Sequence, residues 1–228
     1  PPRSTLFPYT TLFRSHELID RFGTDAVRYY FLKEIEFGRD GDYNETRFIN
    51  IVNADLANDL GNLLNRTLKM IGKYCGGSVP EVNADDLDES FTLKTTGADL
   101  GARVDRAYQS LEFHSACQSV LALVRDCNKF IDDRAPWTLY KQGQQAEVER
   151  VLYTILESVR LAAYLLSPTI PTLSTAIYTQ IGYDIDFDRA ETLKDIDFAS
   201  HSAWGCLAAG QALGKAEPIF RRIELEAV

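Results

Sequence analysis

From His16 onward, apolar residues recur every three to four positions, and the breaks fall at glycine, proline or short polar runs. The pattern predicts a short helix over 16–22 closed by Gly23, a natural residue for a helix C-terminus. A second helix follows over 25–35, with Thr24 as its cap and Asp25 in the dipole-favoured first turn. Residues 37–44 (Phe-Gly-Arg-Asp-Gly-Asp-Tyr-Asn) form a strong turn signal. A long periodic helix then runs over 45–74 and ends at Gly76-Gly77 and Pro80. Residues 79–98 are polar and acidic and read as a solvated linker. Helical periodicity resumes over 99–111 and 113–133, stopping before Pro136, whose ring disfavours helix at the preceding residue. Further helices are predicted over 144–166, broken by Pro168 and Pro171, and over 172–181, ended by Gly182. After Tyr183 the pattern lapses into an acidic, glycine-punctuated tail. No strand–helix alternation is present, so the fold class is all-α, a helical bundle.

Residues 1–15 do not share this pattern. Ser4-Thr5-Leu6-Phe7-Pro8-Tyr9 nearly repeats as Thr10-Thr11-Leu12-Phe13-Arg14-Ser15, without helical period or capping logic. There is no continuous apolar stretch or small-residue cleavage site of the kind a signal peptide needs. The segment reads as non-native or disordered and is assigned no function. The expected organisation is therefore 1–15 as that segment, 16–44 as the end of a linker, 45–182 as the bundle and 183–228 as a C-terminal return segment.

The helix over 45–74 is the most informative. At about 100° per residue, Asp55, Asn58, Asn65, Arg66, Lys69 and Lys73 fall within roughly 60° of Asn62. The opposite face carries Ile49, Leu56, Leu60, Leu64 and Ile71, with Leu63 and Met70 at its margin. One stripe packs a core, and the other presents amides with three cations against one carboxylate. Asn and Arg side chains four residues apart project together and suit the edge of a base. The same spacing equally describes a solvated helix face. Asn53 and Thr67 fall on the apolar side and are expected to be satisfied core polars. Arg134-Ala135-Pro136-Trp137 ends a helix, where proline fixes the backbone and can present the indole for stacking on a base. A tryptophan closing the core fits that position as well. Trp204 is assigned to packing of the tail.

Composition narrows the chemistry. The chain has 228 residues, 45% apolar and 25% charged, and a net charge of −9. That is enough for a full core, and it argues against a general nucleic-acid binder, so any such contact must be local. No uncharged apolar run approaches a membrane span. Cys75, Cys117, Cys127 and Cys206 are scattered without a C-x-x-C pair, which suits a reduced, cytoplasmic protein. His16, His114 and His201 have no partner at metal-ligand or triad spacing; His114 and Cys117 lie one turn apart but lack a third ligand. Neither a phosphate-binding glycine loop nor a nucleophile elbow is found. The expectation is no catalytic residue and no metal site.

Five segments carry a resemblance. Asp25-Ala26-Val27-Arg28-Tyr29-Tyr30 is similar to the segment following the catalytic domain of class I aminoacyl-tRNA synthetases. Asp40-Gly41-Asp42-Tyr43 with the run Asn53–Leu63, then Ala135-Pro136-Trp137, then the run Lys215–Glu224, resemble methionyl-tRNA synthetases. The last departs from the family pattern at Arg221, where the family has Pro. Together they cover about residues 16–226, in order.

The resemblance implies an anticodon-binding helical bundle with Asn62, Arg66 and Trp137 as its tRNA anticodon contacts. Trp137 would stack the first base of the CAU anticodon while Asn62 and Arg66 bond base edges, the usual way unpaired RNA loops are read. The implied partners are the anticodon loop of tRNA(Met) and a missing catalytic domain. The His-Ile-Gly-His and Lys-Met-Ser-Lys-Ser signatures of that domain are absent here, so the chain is expected to be inactive alone and to need no cofactor. ATP, and zinc in some members, belong to the missing part. A monomer is expected, since the extra C-terminal domain through which some members dimerise is lacking. Two alternatives stay open at this point: the bundle of a synthetase for Leu, Ile, Val or Cys, and a helical protein-interaction module.

Overall fold

The computed structural model describes residues 15–83, 85, 87–194 and 196–224. The reading of residues 1–15 lies outside this range except for Ser15, which opens α1 (Ser15–Phe22). Gly23, at φ 83°, both closes α1 through its N–H to the Ile19 carbonyl and precedes α2 (Thr24–Glu34). Thr24 is thus the first helical residue and not the cap; the cap position is Gly23, which has no side chain to make a capping bond. Asp25 instead caps a distant helix: its Oδ2 accepts the Leu173 N–H at 2.7 Å, in the first turn of α10 (Pro171–Gln180).

Asn44 caps α3 (Glu45–Val52) by accepting the Arg47 N–H. The expected long helix is continuous but not uniform. Residues Asn53–Gly61 form a π segment between α3 and α4 (Asn62–Tyr74). A π turn holds more residues than the 3.6 of an α turn, so the 100° phase is lost across it. Within α4 the expected phase holds: Leu63, Leu64, Thr67, Leu68 and Ile71 are buried, and Asn62, Arg66, Lys69 and Lys73 are exposed.

The linker reading of 79–98 fails in its second half. Thr92–Ala98 is a helix, α5, and Val79, Leu87, Phe91 and Leu93 are buried. Acidic residues dominate the local composition, but these four apolar residues face the core. α6 (Leu100–Gln109) and α7 (Phe113–Arg134) follow, and Pro136 opens a short helix, α8 (Pro136–Lys141), at the position where proline's missing N–H costs nothing.

α9 (Gln145–Leu166) is the centre of the bundle, packed by α4, α5, α7, α8 and α10, with every residue from Val151 to Leu166 buried. A helix enclosed on all sides must neutralise its own charges, and Glu157 and Arg160 do so one turn apart at 2.7 Å. Their remaining bonding capacity holds the tail. Arg160 donates to the carbonyls of His201 and Ala203, and Glu157 accepts the N–H groups of Gly205, Cys206 and Leu207. Two short helices, α11 (Ala190–Leu193) and α12 (Phe198–His201), precede that loop. Trp204 then packs over Gly97, where a Cβ would lie 2.3 Å from its ring. The tail returns past Gly77 and Val79, and Asn53 bonds both backbone groups of Ile223. Asn53 and Thr67, which bonds the Leu63 carbonyl, are satisfied core polars. Among the described residues there is no strand, only an isolated Ser78–Ala212 bridge.

Candidate nucleic-acid interface

The π segment removes one residue from the expected polar stripe. Asp55 is 2% exposed and sits among three partners: the Tyr29 hydroxyl at 2.8 Å, Arg125 Nη2 at 2.7 Å and Lys33 Nζ at 3.3 Å. Burial, and then the Asp55 carboxylate, push the Tyr29 phenol well above its usual range, so the phenol stays a donor. Burial opposes the charge of Lys33, but Glu34 and Asp55 outweigh it and raise its pKa. Arg125 also bonds Asp59, and Asn128 bonds the Asp59 carbonyl. These contacts brace the π segment against α2 and α7. Asn65 also leaves the outward set: it is half-buried, and its Oδ1 has no hydrogen-bond donor among the described residues.

What remains outward is Asn58, Asn62, Arg66, Lys69 and Lys73. The Asn62 side chain makes no hydrogen bond among the described residues, leaving both its donor and its acceptor for a ligand. Arg66 Nη2 pairs with Asp132 Oδ1 at 2.8 Å, tying α4 to the end of α7.

That end is a constrained corner. Ala135 stands in the left-handed region at φ 43° and ψ 62°, which costs a non-glycine residue about 1–2 kcal/mol. Pro136 disfavours the right-handed alternative at Ala135, so the chain turns there. Arg134 holds the turn in place. Its guanidinium lies 4.8 Å and 5.2 Å from the ring centroids of Phe91 and Phe130, and it bonds the carbonyl and hydroxyl of Ser90. Pro136 is buried, whereas Trp137 is 36% exposed. The corner therefore presents the indole at the surface and does not fold it into the core.

Beyond the corner, the rings of Tyr140 and Tyr74 meet with centroids 4.4 Å apart and planes 32° apart. Arg66–Asp132 and Tyr74–Tyr140 are two rungs eight residues apart on both strands of the pairing, and Trp137 lies between them in sequence. The resemblance singled out Asn62, Arg66 and Trp137; Asn62 and Arg66 are exposed on α4 and Trp137 is exposed on α8. The sequence reading assigned no role to Asp132 or to either tyrosine, and named Arg134 only as part of the Arg134-Ala135-Pro136-Trp137 run. The Ala-Pro step was the only local signal for the corner, and nothing local marks the tyrosine pair.

Among the described residues, no group of three His, Cys, Asp or Glu could hold a metal ion. Burial raises the thiols of Cys75 and Cys117 to about 11 and that of Cys127 to about 12, which disfavours the thiolate form. No helix among the described residues is long and apolar enough to cross a membrane.

Residues 79–228 match the family profile described as the anticodon binding domain of methionyl tRNA ligase, and residues 10–68 match that of the tRNA synthetases class I (M). The chain is similar to the methionine–tRNA ligase of Nostoc sp., at 59% identity over 207 residues, which is 91% of this chain and 39% of that protein. It is 46% identical over 211 residues to the chloroplastic/mitochondrial methionine–tRNA ligase of Arabidopsis thaliana, covering 92% of this chain and 33% of that protein. Its fold is similar to the crystal structure of apo Mycobacterium tuberculosis methionyl-tRNA synthetase, with a TM-score of 0.80 and 29% identity over 93% of this chain and 41% of that one. The complex of that enzyme with methionyl-adenylate gives a TM-score of 0.79 and 31% identity, over 90% of this chain and 39% of that one. The chain spans about two fifths of the length of the Nostoc and Mycobacterium proteins.

Proposed function

The chain belongs to the methionyl-tRNA synthetases, and from that membership we propose that it reads the CAU anticodon of tRNA(Met) as the anticodon-binding part of a methionine–tRNA ligase. The bundle is taken to begin at Glu45, because α3, the π segment and α4 are one continuous helical rod. It extends to residue 182, with 16–44 as the end of the linker and 183–228 as the return segment.

The observation that carries the reading is the exposed Trp137 on a constrained corner joined through Asp132 to the outward stripe of α4. Trp137 stacks the first anticodon base, and Asn62 and Arg66 bond the edges of its neighbours. Lys69 and Lys73 add positive charge near the loop phosphates, which position the RNA without specifying its sequence. A few oriented contacts of this kind suit a chain of net charge −9. The partner supplying catalysis is the catalytic domain of the same ligase, which brings ATP and, in some members, zinc; no cofactor is assigned to the residues described here. The chain acts as a monomer in the cytoplasm.

Titration of a CAU anticodon hairpin against hairpins with permuted anticodons tests the reading. Tight binding to CAU alone is expected, with Asn62→Ala and Arg66→Ala each costing about 1–3 kcal/mol of discrimination. Equal binding to all anticodons would overturn it. The chain by itself is expected to support no methionine-dependent ATP–pyrophosphate exchange above a contaminant control.

A further inference from the structure

We propose that Tyr140, seated on Tyr74, is a second stacking platform that takes an unpaired RNA base adjacent to the one on Trp137. The proposal rests on the anticodon reading above and extends it to a residue outside the Asn62, Arg66 and Trp137 set.

Among the described residues the exposed large hydrophobics are Phe37, Leu111, Trp137, Tyr140, Leu193 and Phe198. Only Trp137 and Tyr140 share an element, standing three residues apart on α8. Side chains at that spacing are neighbours, with Cβ atoms about 5–6 Å apart. Tyr140 is 44% exposed although its ring packs on Tyr74, so part of the ring stays open to solvent. A base laid there would continue the stack already begun by the two tyrosines.

Tyr74, the ring on which Tyr140 packs, has further contacts of its own. Gln145 Nε2 bonds the Tyr74 carbonyl at 2.9 Å, and Lys73 Nζ lies 5.3 Å from the Tyr74 ring centroid. Packing on Tyr74 restricts the Tyr140 ring, and a restricted ring loses less freedom on binding, which leaves more of the stacking energy as affinity. Lys69, Lys73 and Lys141 are exposed on the flanking segments and suit the phosphates on either side of a stacked base. A sequence-tolerant platform beside a base-reading corner is the usual division of labour for single-stranded RNA.

The test uses the full chain and a CAU hairpin carrying 2-aminopurine at one loop position at a time, since stacking on an aromatic ring quenches that base. Wild-type protein should quench two adjacent positions. Trp137→Ala should restore fluorescence at one of them and Tyr140→Ala at the other, with affinity falling on the order of tenfold in each case. Tyr140→Phe should behave as wild type. Tyr140→Leu keeps an apolar side chain against Tyr74 without a ring and should behave as Tyr140→Ala, which covers a folding defect in the alanine variant. If Tyr140→Ala and Tyr140→Leu bound and quenched like wild type while Trp137→Ala and Asn62→Ala weakened binding, the platform would fall and the anticodon reading would stand. Failure of the wild-type chain to bind the hairpin would sink both.

Discussion

Arg66 Nη2 lies 2.8 Å from Asp132 Oδ1, and this pair joins the helix bearing Asn62 to the helix end that leads into Trp137. Both side chains are well exposed, so the pair contributes about 0.2–1 kcal/mol and opens at small cost. Asp132 therefore holds Arg66 in place between binding events and competes with RNA for it. Asp132→Ala is expected to raise CAU hairpin affinity two- to fivefold, a gain of about 0.4–1 kcal/mol, with little change in Tm. In an Arg66→Ala background the gain should largely vanish. A double-mutant cycle at fixed salt measures this coupling; strictly additive effects would mean that Asp132 repels RNA without involving Arg66.

The two tryptophans should separate binding from stability. Trp137 is exposed at the corner, so Trp137→Ala is expected to cost about 1–3 kcal/mol of hairpin affinity and almost no stability. Trp204 is half-buried over Gly97, so Trp204→Ala should lower stability by about 2–3 kcal/mol, below the 3–5 typical of a fully buried aromatic. Denaturant melts and hairpin titrations of both variants give a crossed comparison. Unchanged affinity in a folded Trp137→Ala variant would remove that residue from the interface.

Arg160 is fully buried, pairs with Glu157 and donates to the carbonyls of His201 and Ala203. Arg160→Met would leave the buried Glu157 carboxylate without its counter-charge and the carbonyls of His201 and Ala203 without their donor. A loss of about 3–5 kcal/mol is expected, as for other buried pairs broken on one side. Hydrogen exchange should also show Gly205, Cys206 and Leu207 losing protection before α9 does. Wild-type melting of this variant would mean that the tail is held by other contacts.

Asp25 provides a pH test. Burial raises its pKa above 3.8, opposed by the Leu173 N–H bond, with the nearby Asp188 adding to the rise. The folded state therefore binds the proton more tightly than the unfolded state. The corresponding stabilisation is fully present below pH 3.8 and is lost as pH rises through the raised value. Relative to Asp25→Asn, the wild type should lose stability with rising pH across that window and run parallel above it. An opposite slope in paired denaturant melts would show that the Leu173 bond outweighs burial.

The bundle was legible because an amphipathic helix announces itself locally. Leu64 and Ile71 alternate with Asn62 and Arg66 at a period set by the backbone alone, so the inward and outward faces of α4 followed without knowledge of any neighbour. The family motifs likewise marked Trp137 and the return segment. The fate of polar groups was not legible in that way. Asp55 reads as outward until the π segment turns it toward Tyr29, Lys33 and Arg125, which come from α2 and α7. Glu157 and Arg160 have the spacing of an ordinary surface pair and become core residues because α9 is enclosed and residues 201–207 close over them. Tyr140 meets Tyr74 across 65 intervening positions, and Trp204 finds its seat on Gly97 more than a hundred residues away. Periodicity reports which way a side chain leaves its own helix; whether it then meets water, a counter-charge or a ring depends on segments far along the chain, and those are brought together only by packing.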